Sequence, residues 1–226
     1  MNKAVVIVAG GSGSRMKSEI PKQFIEWCSK PILMHTIEKF YAFDKNMNIV
    51  LVLPSEQFEP WHELCQKHQF SIPLSLTDGG NTRFESVKNG LSLIKEECLI
   101  GIHDGVRPLV SIQTLNNCFS MAQEKESAVP VTDSFESIRQ IEDSKSKAVN
   151  RDNYKMVQTP QVFLFSKLKK AYNQPFDPLF TDDASVYEKA GYTINLCQGN
   201  RENIKITTPI DLAIGAALKQ LDDENS

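Results

Sequence analysis

The sequence predicts an α/β protein of three layers, a doubly wound, mostly parallel sheet between helices, with a projecting β-hairpin arm. Three observations predict it. Several short runs are apolar on both faces, as strands buried inside a parallel sheet are. Between Ala4 and Pro108 these runs alternate with segments of helical spacing, the rhythm of βαβ units joined by right-handed crossovers. Three of the runs also lead into loops rich in glycine and charge, which such sheets gather at their carboxyl edge, where ligands bind.

The first run is Ala4 to Ala9, with no polar residue on either face. It breaks into Gly10, Gly11, Ser12, Gly13 and Ser14, whose small side chains let backbone N–H groups approach an anion. Two cations follow, Arg15 and, after Pro21, Lys22. The Walker pattern requires Lys-Ser or Lys-Thr to close such a turn, and none does so here. The dinucleotide fingerprint requires a third glycine where Met16 stands. Two readings remain open from the loop alone: a polyphosphate site flanked by two cations, and a plain glycine turn with solvated side chains.

The rest of the chain supplies the context. Ile32, Leu33, Thr36, Ile37, Phe40 and Tyr41 repeat at helical spacing within a segment from Pro31 to Phe43, whose proline suits a first turn. Asn48 to Leu53 reads as a second buried strand, and Ser55 to His68 as a helix containing Pro60. Ile72 to Leu76 is expected to be the third strand, ending in Asp78-Gly79-Gly80-Asn81. Thr82 and Glu85 form a capping box for a helix with core residues Phe84, Val87, Leu91 and Ile94. Cys98 to Ile102 is the fourth strand and delivers His103-Asp104-Gly105-Val106-Arg107-Pro108. The three loops thus bring glycines, Arg83, Asp104 and Arg107 to one edge alongside Arg15 and Lys22, which favours a ligand site over plain turns.

Beyond Pro108 the pattern loosens. Ser111 to Glu124 reads as a helix and Ala128 to Val131 as a strand. Phe135 to Ile141 and Lys147 to Arg151 are polar strand-like pieces around the charged turn Glu142 to Ser146. Such a hairpin has too little apolar surface to stand alone; it is expected to project at about 133–153 and pack on a second copy of the chain. Tyr154 to Phe165 returns to the sheet, and Thr181-Asp182-Asp183-Ala184-Ser185 opens a helix through Ala190 with Gly191 as its stop. Tyr192 to Leu196 and Asn203 to Ile206 are expected as short strands. Thr208-Pro209-Ile210-Asp211 starts a last helix to about Leu221, and Asp222 to Ser226 are expected to fray. No internal repeat or linker divides residues 1–226, so one domain with an arm is expected.

Composition narrows the function classes. The formal net charge of −3 argues against a general nucleic-acid or acidic-membrane binder, so a cationic cluster in this chain is local. Five dispersed cysteines, none in a Cys-x-x-Cys pair, point to reduced thiols and a cytoplasmic protein. Cys65 and His68 lack a second half for a metal site. No signal segment opens the chain, and no apolar run approaches the roughly 20 residues of a membrane span; no membrane partner is expected.

In order, Ala9-Gly10-Gly11-Ser12-Gly13-Ser14-Arg15-Met16, Pro21-Lys22-Gln23-Phe24, Asp78-Gly79-Gly80, Arg83, Ser86-Val87, His103 to Pro108, Thr159-Pro160-Gln161, Thr181 to Ser185 and Asn203 to Thr207 resemble the 2-C-methyl-D-erythritol 4-phosphate cytidylyltransferases of the non-mevalonate isoprenoid pathway. The resemblance covers essentially the whole chain and implies a Rossmann-like nucleotidyltransferase fold. It implies transfer of CMP from CTP to that polyol phosphate, with release of pyrophosphate and with Mg²⁺ as cofactor.

The resemblance also distributes roles. Arg15 and Lys22 would stabilise charge at the α-phosphate, and the loop Gly11, Ser12, Gly13 would hold the triphosphate. Ala9 and Gly10 would read the base by their backbone, and Gly80, Asn81 and Ser86 would contact the cytidine. Asp104 would hold the metal or the nucleotide. Arg151 and Lys205 would position the sugar phosphate as part of the catalytic set, with Arg107, Thr159 and Thr181 assisting. The arm would cross to the other subunit of a homodimer, carrying Arg151 with it. Two departures from the family pattern stand out. Gly105-Val106 replaces the usual Ala-Ala, and Asn81 stands where many members carry Asp. Asn still bonds a ribose hydroxyl, whereas Val at 106 also occurs in ribitol 5-phosphate cytidylyltransferases, which leaves that acceptor as an alternative. A CTP-binding module without catalysis is a further alternative.

Overall fold

The apolar runs become the middle of one sheet. A computed structural model describes residues 1–11, 16 and 20–224. β1 (Lys3–Val8) lies between β4 (Asn48–Leu53) and β6 (Leu99–Asp104) and is parallel to both. β4 pairs in parallel with β5 (Ser75–Asp78). A small hairpin, β2 (Glu26–Trp27) and β3 (Lys30–Pro31), precedes α1 (Ile32–Phe43), and α2 (Phe58–Lys67), α3 (Arg83–Ser92) and α4 (Ile112–Lys125) complete the crossovers. The sheet then turns antiparallel. β7 (Ser127–Asp133) is followed by the arm strands β8 (Arg139–Glu142) and β9 (Lys145–Ala148). β10 (Lys155–Val157) pairs with β7, and β11 (Gln161–Leu164) inserts between β7 and β6. After α5 (Phe165–Ala171) and α6 (Asp183–Lys189), β12 (Leu196–Gln198) joins β7 in parallel, and α7 (Pro209–Glu224) ends the described chain.

Alternate side chains of β1 divide the core into two layers, as the period of a strand requires. Val5 and Ile7 pack with Leu33, Ile37 and Phe40 of α1, Trp61 of α2, and Leu115 and Phe119 of α4. Ala4 and Val6 pack on the opposite face with Val87 and Leu91 of α3, Leu168 of α5 and Tyr187 of α6. This is the three-layer α/β arrangement. The register pairs Val8 with both Val52 and Asp104, so β1, β4 and β6 end at one rim.

Several boundaries differ from expectation. The third strand is Ser75–Asp78 rather than Ile72 to Leu76, because the register pairs Val50 with Ser75 and Leu53 with Asp78; Phe70, Ile72 and Leu74 instead pack against the core without sheet pairing. Tyr192 and Ile194 likewise serve packing, and the strand there is Leu196–Gln198. Asn203 to Ile206 forms no strand: Ile206 N–H reaches the Val106 carbonyl at 2.9 Å, and the segment is held by side-chain bonds. The arm's turn is two residues, Asp143 and Ser144, at φ +46° and +64°, as a tight hairpin turn with both central residues left-handed requires. Its strands are therefore Arg139–Glu142 and Lys145–Ala148 rather than the longer pieces read from sequence. α7 continues to Glu224, past the expected fray at Asp222; the Asp211 carboxylate accepts from Thr207 and Thr208 N–H groups at its start. α5 and the β2–β3 hairpin have no counterpart in the sequence reading.

Candidate active site

At the rim where β1, β4 and β6 end, the loops close around a cavity of about 220 Å³. Ala9, Gly10, Gly11, Lys22, Gly80, Asn81, Ser86, Asp104 and Lys205 all line it. A second cavity of about 310 Å³ is lined by Arg107, Thr159 and Thr181, and shares Arg83, Asp104 and Lys205 with the first. Ser12, Gly13 and Arg15 lie outside the described residues. Arg151 lines neither cavity: it sits at the base of the arm in the 3-10 turn Arg151–Asn153, where Nη1 donates to the Phe135 carbonyl at 2.7 Å. Within one chain it is therefore not grouped with the other expected residues.

Local folding rules set each loop. Gly105 N–H bonds the Val8 carbonyl at 2.9 Å and Ala9 N–H bonds Val52 at 3.0 Å, which fixes the glycine loop beside Asp104. Thr82 caps α3 with a complete capping box to Glu85. Gly80 packs so tightly on this turn that a Cβ would lie 2.3 Å from Glu85 Cβ. Its N–H donates to Ser86 Oγ at 3.0 Å, and that hydroxyl donates to the Thr82 carbonyl at 2.9 Å. Ser86 therefore spends its proton on shaping the loop, and only a lone pair remains for a ligand. At Gly11 a Cβ would come within 3.2 Å of Lys22 Cε; the absence of a side chain lets the lysine lie across the loop.

Asp104 is the electrostatic centre. Its Oδ2 meets Arg107 Nε and Lys205 Nζ, each at 3.0 Å, and Arg83 Nε stands 4.0 Å from Oδ1. Burial alone would raise its pKa, but Arg83, Lys205 and Arg107 more than offset this and hold the carboxyl well below the usual carboxylate range. Asp104 is ionised at neutral pH. The cations around it are held ready for an arriving anion instead of scattering into solvent.

Beneath Asp104 a buried relay fixes the backbone. His103 is fully buried, which lowers its pKa to about 4, so the ring is neutral. Its Nε2 lies 3.1 Å from the Arg107 carbonyl and must carry the proton. Nδ1 is then an acceptor, and Thr159 Oγ1, 3.0 Å away, donates to it. The same oxygen accepts from Asp104 N–H at 3.2 Å. Thr159 lines the second cavity, but its proton is committed inward. Asn203 Nδ2 donates to the Thr159 carbonyl at 2.8 Å, and the Asn203 carbonyl accepts from Arg107 Nη1 at 2.8 Å. That linkage explains how an irregular segment presents Lys205 at a fixed place.

Sequence reasoning gave no role to Arg83, His103 or Asn203. Arg83 was visible as a loop cation, and its bidentate partner Asp183, 2.9 and 2.7 Å away, lies 100 positions later. A metal would find one protein carboxylate here. Among the described residues no cluster of three His, Cys, Asp or Glu groups suits a metal, and Asp104 Oδ2 already holds two cations. Oδ1, which Arg83 Nε faces at 4.0 Å, fits a single ligand position, and a hard cation would draw its other ligands from phosphate and water.

Comparison with known proteins agrees with this geometry. The family model described as "IspD: 2-C-methyl-D-erythritol 4-phosphate cytidylyltransferase" matches residues 3–220. A protein of that name from Bacteroides thetaiotaomicron is 52% identical over 218 residues, covering 96% of this chain and 100% of the relative. The crystal structure of a 2-C-methyl-D-erythritol 4-phosphate cytidylyltransferase from Thermus thermophilus superposes with a TM-score of 0.79 at 26% identity, covering 97% of this chain and 100% of the other. A 4-diphosphocytidyl-2C-methyl-D-erythritol synthase from Anaerococcus prevotii, at 24% identity, shares the fold with a TM-score of 0.82, covering 97% and 98%. A cation-ringed carboxylate at the rim of a doubly wound sheet, and family and relatives matched along nearly the full length, lead to one conclusion: the chain belongs to the 2-C-methyl-D-erythritol 4-phosphate cytidylyltransferase family of nucleotidyltransferases.

Proposed function

We propose that this chain transfers CMP from CTP to 2-C-methyl-D-erythritol 4-phosphate, forming 4-diphosphocytidyl-2-C-methyl-D-erythritol and pyrophosphate, a step of isoprenoid precursor synthesis. The observation that carries the proposal is the meeting of two cavities at Asp104 and Lys205, one lined by the glycine loop and the other by Arg107, Thr159 and Thr181. Two anionic substrates fit such a pair of chambers, with the reacting phosphorus at the junction.

The nucleophile is a phosphate oxygen, ionised at neutral pH, so no general base is needed. The barrier lies in bringing two anions together and stabilising charge on the α-phosphoryl group and the departing pyrophosphate. Lys22 and Arg15 would supply that stabilisation from the nucleotide side. Backbone groups of Ala9, Gly10, Gly11, Ser12 and Gly13 would hold the triphosphate and base, with Gly80, Asn81 and the Ser86-braced turn against the cytidine. Lys205 and Arg107, with Thr181, would hold the acceptor phosphate in line, and Thr159 would act by fixing Asp104. Asp104 would supply one ligand to Mg²⁺, which adds charge neutralisation on the phosphates.

We further propose one catalytic domain over the chain, acting in the cytoplasm as a homodimer. All five cysteines are free thiols, in keeping with a reducing compartment, and no helix among the described residues is long and apolar enough to cross a membrane. The arm leaves Phe135 and Ile141 58% and 69% exposed, and Met156 beside it 55%, apolar surface that a second copy would cover while receiving Arg151.

Incubation with CTP, Mg²⁺ and 2-C-methyl-D-erythritol 4-phosphate tests the proposal: pyrophosphate release supports it, and none from folded protein contradicts it. Val106, which lines the first cavity, is the feature that keeps ribitol 5-phosphate as a second acceptor reading. A higher kcat/KM for ribitol 5-phosphate would move the assignment there, and CTP binding without turnover of either would indicate a nucleotide-binding module.

A further inference from the structure

Lys22 carries its ammonium on a flexible four-carbon stem, so its place in the nucleotide cavity depends on the backbone beneath it. That backbone is a single 3-10 turn, Lys22–Phe24, closed by Phe24 N–H on the Pro21 carbonyl at 2.8 Å. Two side chains fasten the turn to its surroundings. Phe24 is buried and stacks on Trp61 of α2, with centroids 6.2 Å apart. Gln23 is fully buried, and its Nε2 donates to Gln57 Oε1 at 2.5 Å.

Gln57 lines neither cavity. It ends the 3-10 turn Ser55–Gln57 that follows β4, and its N–H bonds the Pro54 carbonyl at 2.9 Å. The Pro54 ring lies against Gly10, where a Cβ would stand 3.6 Å from proline Cδ, and Ala9 N–H is held by Val52. The end of β4 therefore registers both parts of the nucleotide site: the glycine loop directly, and Lys22 through Gln57 and Gln23. The bond to Gln57 has no substitute. Gln23 Oε1 is buried without a partner among the described residues, so Nε2 alone anchors that side chain by hydrogen bonding. Without the Gln57 acceptor, a whole amide would be buried and unsatisfied, a costly arrangement. Gln23 relieves it only by moving, and Lys22 is its chain neighbour.

Building on the functional reading above, we propose that Gln57 is a positioning residue for the transfer reaction: through Gln23 it sets where Lys22 stands against the glycine loop. A cation that acts on charge developing in the transition state is sensitive to small displacements. Loss of Gln57 is thus felt in kcat, and the binding of CTP, which the glycine loop and the Gly80 turn share, changes little.

A double-mutant cycle in the full-length protein tests this. Gln57→Leu is expected to lower kcat about tenfold with the KM for CTP within about twofold of wild type. Gln57→Glu, which keeps an oxygen for Gln23 Nε2, is expected to recover most of kcat. In a Lys22→Ala background, Gln57→Leu should have almost no further effect, because the group it positions is gone. If Gln57→Leu does not fold, Gln57→Ala takes its place in the cycle. An unchanged kcat in the folded variant overturns the proposal, and so does an equal fractional loss with and without Lys22, the mark of a purely structural role. A second readout needs no turnover: the NMR signal of ¹³C-methylated Lys22, assigned by its loss in Lys22→Arg, is expected to shift on CTP addition in wild type and to shift less in Gln57→Leu. Wild-type protein that binds CTP but makes no product overturns the functional reading instead. The Lys22 signal then decides the role of Gln57, and the same shift in both proteins overturns it.

Discussion

Replacing Asp104 by Asn removes one negative charge and almost no volume, and it isolates the electrostatics of the site. Arg107 and Lys205 then face an amide whose N–H₂ group can take the place of the accepting oxygen 3.0 Å from each. Removing one partner of a buried pair costs about 3–5 kcal/mol. Lys205 is 40% exposed on its side chain and regains water, so screening brings the cost below that range, to about 2–3 kcal/mol. For a chain of this length that is a fall in Tm of about 5–10 °C without ligand. The pH dependence has a definite sign. The folded pKa of Asp104 lies below its unfolded value, near about 3.9. The stability it contributes is therefore complete above the unfolded value and lost as pH falls through the folded one. The gap in Tm between wild type and variant should be full at neutral pH, begin to shrink below about pH 4, and vanish only as pH falls through the folded pKa. Metal-free pyrophosphate should raise the variant's Tm more than that of the wild type, since it meets cations that lost their counter-charge. Thermal unfolding across pH, with and without pyrophosphate, measures all three. Equal Tm values at neutral pH, or a gap undiminished in strong acid, would refute the reasoning.

Three further outcomes are expected. Lys22→Ala and Arg15→Ala should each lower kcat about 10²-fold or more with little change in Tm, as expected for groups acting on developing charge; steady-state kinetics with a melting control checks this. Thr159→Val strands Asp104 N–H and His103 Nδ1 and should cost about 1–3 kcal/mol together with kcat/KM, whereas Thr159→Ser should recover both. Mixing Lys22→Ala with Arg151→Ala chains should restore about a quarter of wild-type activity if Arg151 serves the other subunit of a symmetric dimer, and none if each site is completed within one chain.

Much of the architecture was legible because burial on both faces leaves an unmistakable apolar run. The runs containing β1, β4 and β6 and the capping box at Thr82 are local signals, and the structure carries them. Where apolar spacing served packing without pairing, as at Ile72 and Tyr192, strands were placed too early. The segment at Asn203 misled for another reason: its extended form is maintained by Asn203 bonding Thr159, 44 positions away, which no local pattern records. The site divides in the same way. Lys22 and Asp104 were identifiable as charges on glycine-rich or strand-end loops, whereas Lys205, within an expected strand, gained its role only from the family resemblance. The protonation of His103 and the pairing of Arg83 with Asp183 depend on groups brought together only by the fold. Asp183 was legible from sequence only as an acid suited to a helix N-terminus.

The proposed reaction turns on one chemical event, attack by the acceptor's phosphate oxygen on the α-phosphorus of CTP within the ring of cations around Asp104. The most direct measurement places a heavy-oxygen label in the phosphate of 2-C-methyl-D-erythritol 4-phosphate and follows it by phosphorus NMR and mass spectrometry through a single turnover. The predicted result is label retained wholly in the cytidine product, with one labelled oxygen bridging its two phosphorus atoms, and unlabelled pyrophosphate. Label in the released pyrophosphate or in free phosphate would contradict it.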